Sequence, residues 1–110
     1  MNSIELFSGT GGLALGLQQA GFDHKALFEW DKASCENIKE NIANGYPGVR
    51  DWKVYQTDVR TVNYNGYTGS IQLVAGGPPC QPFSLGGKHQ AYNDKRDMFP
   101  EAVRAVRETQ

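Results

Sequence analysis

The stretch GGPPCQPFS, Gly76 to Ser84, sets two prolines directly before Cys80 and a third two residues after it. Proline locks φ near about −65° and removes a backbone donor, so the chain around this thiol is stiff. A thiolate, not a thiol, attacks electrophiles, and a nucleophilic cysteine needs exposure and a positive or donor-rich neighbourhood. At the end of the apolar run IQLVAG, Cys80 reads as a candidate nucleophile, with a small packing residue in a rigid turn as the plain alternative. Cys35, between Ser34 and Glu36 in a helical pattern, has no such company and reads as packing. Two cysteines in a chain of this type are expected as free thiols rather than a bridge.

A second group of residues could hold a nucleotide. FSGTGG, residues 7–12, lets the backbone turn sharply and come close to a ligand, because glycine accepts positive φ and has no Cβ. Gly9, Gly11 and Ala14 fit the G-x-G-x-x-A dinucleotide fingerprint, and Glu29 follows Gly9 at about the 20-residue spacing where an acid accepts hydrogen bonds from a ribose diol. Asp58, next to Thr57, would face the same rim and could take the amino group of an adenine, or simply form a turn. Together these signals favour an adenosine-containing ligand. A nicotinamide-dependent oxidoreductase fits the glycines but leaves PPCQPFS unexplained.

To bring these groups together the chain needs alternating strands and helices. SIELF reads as a strand, LALGLQQA as a helix with Leu13, Leu17 and Ala20 at helical spacing and Gly21 as its stop. HKALFEW gives a second strand. Asp31 is a candidate N-cap for KASCENIKENIA, whose Ile38 and Ile42 share a face, and Asn44 and Gly45 end it. After the turn GYPGVRDW come a strand KVYQ, a polar connection TDVRTVNYNGYTGS without clear periodicity, and a fourth strand IQLVAG. MFPEAVRAVRETQ then reads as a helix with Pro100 in its first turn. The order implies a doubly wound parallel α/β sheet, strands 3-2-1-4, truncated after about four strands. Ligands in such sheets bind where the order reverses, here between strands 1 and 4, which puts FSGTGG beside PPCQ.

At 110 residues the chain is one domain at most, small for a complete enzyme acting on a macromolecule. Its formal charge of −1 lacks the basic footprint of a nucleic-acid binder. Lys88, His89, Lys95 and Arg96 gather after the cysteine, but Asp94 and Asp97 sit among them, as in a solvated loop. No apolar run approaches the ~20 residues of a membrane span, and the start of the chain does not resemble a signal peptide, so the expected compartment is cytoplasmic.

Four segments carry a family resemblance. ELFSGTGGL, FEWD, TDVR and GGPPCQPFS are similar, in order and spacing, to four motifs of the DNA cytosine-5 methyltransferase family, over essentially the whole chain. NDKRDMFPEAVRAV resembles the stretch after that family's mobile catalytic loop. The resemblance implies a Rossmann-like fold that binds S-adenosylmethionine. Phe7, Ser8, Gly9, Thr10, Gly11, Gly12 and Leu13 would line its pocket. Glu29 would hold the ribose, Trp30 would lie against the adenine, Asp58 and Val59 would border the adenine, and Pro79 would flank the methyl donor; no metal is implied.

Cys80 would be the nucleophile. Its thiolate would add to carbon 6 of a cytosine flipped out of double-stranded DNA, making carbon 5 an enamine able to take the methyl group; loss of the carbon 5 proton would then expel the cysteine. Gln81, Ser84, Lys88 and Arg96 would meet the DNA, in a loop, SLGGKHQAYNDKR, expected to close as a lid about Gly86 and Gly87. The family's Glu-Asn-Val and Arg-x-Arg motifs and its target recognition domain do not occur in these 110 residues. The resemblance therefore implies the N-terminal part of a catalytic domain, acting with a C-terminal remainder or a partner chain and inactive alone. A transfer-RNA cytosine methyltransferase, or a noncatalytic nucleotide-binding module, remains a different reading of the same residues.

Overall fold

The computed structural model describes residues 1–77 and 98–110. Four parallel strands, β1 (Asn2–Leu6), β2 (Asp23–Glu29), β3 (Val54–Gln56) and β4 (Leu73–Gly76), lie in the order β3-β2-β1-β4. This is the expected 3-2-1-4 sheet. Helix α1 (Gly12–Gln19) links β1 to β2 and α2 (Lys32–Ala43) links β2 to β3, while α3 (Phe99–Thr109) follows β4.

Side-chain alternation along the strands divides the core into two. Ile4 and Leu6 of β1 with Ala26 and Phe28 of β2 pack with Val59, Tyr64 and Ala105. Leu27, on the opposite face, packs with Ala14, Ile38, Val49 and Trp52 beneath α1 and α2. A register shift sets Ser3 opposite His24 but Ile4 opposite Ala26, so Lys25 is an extra residue in β2. One residue of slip moves a side chain to the other face, and that brings His24 to Trp52, with ring centroids 5.8 Å apart.

Both helices after the first two strands end by the same device. Gly21 and Gly45 adopt left-handed φ of 101° and 77°. Phe22 N–H reaches back to Leu17 O and Tyr46 N–H to Asn41 O, closing Schellman motifs. Asp31 caps α2, its carboxylate accepting from Ser34 N–H at 2.9 Å.

Two expectations need correcting. The packed side of α1 is Ala14, fully buried, with Leu15, whereas Leu13 is half exposed. Sequence spacing finds a stripe of leucines, but the face of α1 turned to the core carries Ala14, packed with Leu27, Ile38, Val49 and Trp52. The connection at 57–70 is also more than polar linker. It forms 3-10 turns at Val59–Thr61 and Asn65–Tyr67 and buries Val59 and Tyr64, which cover the β1–β2 face in the place a crossover helix would take.

Candidate cofactor site at the carboxyl rim of the sheet

The strand order reverses between β1 and β4, and their ends meet there. Leu6 is paired with Gly76. A Cβ on Gly76 would stand 2.2 Å from Leu6 O, so only glycine lets β4 close against the start of the glycine loop. The pairing brings FSGTGG to the end of the strand that leads into PPCQ, as the topology predicts. Pro79, Cys80, Gln81, Ser84, Lys88 and Arg96, and the expected lid with Gly86 and Gly87, lie outside the described residues.

The glycine loop is bent by three left-handed residues: Phe7 at φ 57°, Gly9 at 56° and Gly11 at 95°. For Phe7, which packs partly buried against the first core cluster, that conformation costs on the order of 1–2 kcal/mol, and such strain collects at functional sites. Gly11 N–H bonds to Ser8 O at 3.1 Å, and α1 begins at Gly12 with no side-chain cap. An uncapped helix start offers amide donors to a ligand. Thr10 and Gly12 are both exposed at this entrance, with Gly9 half-buried between the loop and Glu29. Ser8 is buried, and its Oγ has no hydrogen-bond partner among the described residues.

Glu29 ties the loop to β2. Its Oε1 accepts Gly9 N–H at 2.8 Å and its Oε2 accepts Asp31 N–H at 2.7 Å. Each carboxylate oxygen keeps a lone pair for a further donor such as a hydroxyl. Beside it Trp30 stands 69% exposed. Cys35, by contrast, is buried below the rim, its Sγ donating to Glu29 O at 3.4 Å; burial foremost pushes the thiol's pKa up, away from a reactive thiolate.

Asp58 starts the turn Val59–Thr61 and accepts Arg60 N–H at 2.9 Å. Its two oxygens also form a forked ion pair with the Arg60 guanidinium, with Nε at 3.0 Å from both. The Arg60 side-chain hydrogen bonds hold the carboxyl below its ordinary range, so it stays an acceptor. Val59 itself is buried, its side chain in the core. Sequence reasoning missed Arg60, two residues from Asp58, as this acid's partner; an Asp-x-Arg spacing at a strand end was the available signal.

A parallel sheet with a glycine loop, an acid at the end of its second strand and another past its third defines a doubly wound domain built for an adenosine-containing ligand. The chain belongs to the C-5 cytosine-specific DNA methylase family, whose model matches residues 1–110. It is 46% identical over 107 residues to the type II methyltransferase M.NgoMIV of Neisseria gonorrhoeae, covering 97% of this chain and 32% of that one. It is 42% identical to M.PspPI of Psychrobacter sp. (strain TA137), covering 96% and 24%. Among solved structures it resembles a protein described as a DNA modification methyltransferase encoded within an E. coli prophage, with a TM-score of 0.71 and 32% identity over 100% of this chain and 29% of that one. The chain thus spans about a quarter to a third of these relatives' lengths. Among the described residues no group of His, Cys, Asp and Glu could hold a metal ion, and no helix is long and apolar enough to cross a membrane.

Proposed function

We propose that this chain is the cofactor-binding, nucleophile-bearing part of a DNA cytosine-5 methyltransferase, with residues 1–110 forming the N-terminal portion of its catalytic domain. The observation that carries this reading is the glycine loop fastened to Glu29 through Gly9 N–H at the strand ends, with the backbone just before Asp58 bonded to Glu29 O, in a chain of this family.

S-adenosylmethionine would supply the methyl group. The fit rests on the left-handed Gly9 and Gly11, the uncapped start of α1, a Ser8 Oγ that has no partner among the described residues, and the exposed Trp30. Glu29 would accept from the ribose hydroxyls, Asp58 from the adenine amino group, and Trp30 would cover the adenine; Phe7, Thr10, Gly12 and Leu13 would border the methionyl end, with Pro79 beside the methyl donor. Cys80 would add to carbon 6 of the flipped cytosine, the thiolate's electron pair forming the C–S bond. Gln81, Ser84, Lys88 and Arg96 would contact the DNA. The partners are double-stranded DNA and polypeptide that supplies the cytosine-holding Glu-Asn-Val motif and the recognition domain.

The test is covalent trapping on duplex DNA carrying 5-fluorocytosine, with S-adenosylmethionine and the complementing polypeptide present. Fluorine cannot leave as the carbon 5 proton does, so a DNA–protein adduct should accumulate, and Cys80→Ala should reduce it by more than 100-fold. An adduct that persists in Cys80→Ala, or none with the unaltered protein, rejects the assignment. The chain alone should give no methyl transfer, which a radiolabelled methyl assay reads directly.

A further inference from the structure

Arg104 lies in the middle of α3 with its guanidinium engaged on every side. Nε donates to Glu101 Oε2 at 3.0 Å and Nη1 to Glu108 Oε2 at 2.9 Å, while the cation sits over the Tyr64 ring, 5.1 Å from its centroid. Carboxylates three residues before and four after it hold the group in one orientation, removing rotamer freedom that a long side chain would otherwise keep. So held, it donates beyond its own helix, from Nη2 to Val59 O and from Nη1 to Val62 O, both at 2.8 Å.

Those two carbonyls belong to the turn Val59–Thr61 and to the residue that ends it, Val62, and the residue that starts it is Asp58. A single 3-10 turn is poorly held by its own bonds, here Thr61 N–H to Asp58 O and a long 3.2 Å bond from Val62 N–H to Val59 O. Arg60 fixes the Asp58 carboxylate relative to the turn but travels with it. Thr57 N–H, bonded to Glu29 O at 2.9 Å, ties the approach to the turn to β2, the buried Val59 side chain seats it on the core, and the fork of Arg104 fixes its carbonyls and far end to α3. Glu108 strengthens the same clamp, accepting Tyr64 N–H at 3.0 Å.

We infer that Arg104 is a positioning residue for adenine recognition: through Val59 O and Val62 O it sets where Asp58 stands on the rim shared with Glu29 and Trp30. It touches no ligand. The inference rests on the proposed reading of Asp58 as the acceptor for the adenine amino group. Lysine cannot replace it, because a point charge does not reproduce two donors at the fixed spacing of a planar fork.

Calorimetric titration of the full 110-residue chain with S-adenosylhomocysteine, and with the analogue whose 6-amino group is replaced by hydrogen, tests this. The unaltered chain should prefer the amino compound by about tenfold or more, as expected for a hydrogen bond to a charged acceptor. Arg104→Met and Arg104→Lys should reduce that preference to about twofold or less while the analogue's own affinity changes little. Ile42→Ala, which loosens the opposite face of the sheet, should leave the ratio intact. If Arg104→Met does not fold, Arg104→Lys, which keeps the charge and the stem, decides alone. A folded Arg104 variant that keeps the full preference, or that loses both ligands equally, overturns the role. An unaltered chain with no preference, or no binding, overturns the reading of Asp58 instead, and the role of Arg104 falls with it.

Discussion

Two glutamates on neighbouring strands have opposite surroundings. Glu5, inside β1, is 1% exposed and its Oε1 has no hydrogen-bond partner among the described residues; His24 Nε2 is 3.8 Å away. Glu29, the last residue of β2, receives a backbone amide on each oxygen. Within the sheet the amides are committed to the ladder, so a carboxylate there finds no main-chain donor. Past the strand ends the amides of Gly9 and Asp31 are free to turn toward it. The same residue type is therefore a buried liability in one place and the fastener of the glycine loop in the other.

The difference is sharpest in how each end tolerates change. At the rim, Gly76→Ala should have the largest effect, a loss of about 3 kcal/mol or more in urea unfolding, since the new Cβ meets backbone rather than a yielding side chain. Unchanged stability would mean that β4 does not close on Leu6 as described.

At the buried end the effect is on pH dependence. Burial pushes Glu5 up to about 7 from 4.5 and His24 down to about 4 from 6.5. The folded state keeps the Glu5 proton that the unfolded state releases, so this contribution is full below 4.5 and is lost as pH rises through about 7. His24 works the other way, full above 6.5 and lost as pH falls through about 4. Between 4.5 and 6.5 the two slopes oppose and should nearly cancel. Glu5→Gln should expose the rise with pH and His24→Asn the fall, each of about 3 kcal/mol across its window, as read from urea midpoints over pH. Parallel profiles in the two variants would show that the groups do not titrate as a buried pair; Ser3 Oγ at His24 Nδ1 and the Trp52 ring complete their surroundings.

The smallest change in stability should come from Glu29→Gln. An amide nitrogen cannot accept, so either Gly9 N–H or Asp31 N–H loses its partner, at a cost of about 1–2 kcal/mol. Affinity for S-adenosylhomocysteine should fall by about tenfold or more in the same variant, because the proposed ribose contact uses the same carboxylate that fastens the loop. Lost stability with unchanged affinity would leave Glu29 as a fastener only.

Much of the fold was legible because its signals are local. The span of α2, its Asp31 cap and its glycine stop all follow from neighbours within a turn of helix, and the strand order followed from alternation alone. The burial of Tyr64 and the inward turn of Ala14 were not legible. Both depend on which surface the sheet leaves uncovered, and no periodicity in TDVRTVNYNGYTGS announces a core residue. For the site, the glycine loop, Glu29 and Asp58 could be named from type and spacing, but their present partners could not.

The sequence by itself determined the elements, their order, the family and the residues able to do chemistry, because helix stops, strand runs and motif spacings are short-range properties of the chain. Only the tertiary structure decided that Glu29 fastens Gly9, that Glu5 is enclosed with His24, and that Arg104 reaches 42 and 45 residues back to grip the turn behind Asp58. Those pairings join residues distant in the chain. The one-residue bulge in β2 sets where His24 meets Glu5, and the other two contacts depend on how the strand ends and helix faces come together, which composition and spacing do not encode.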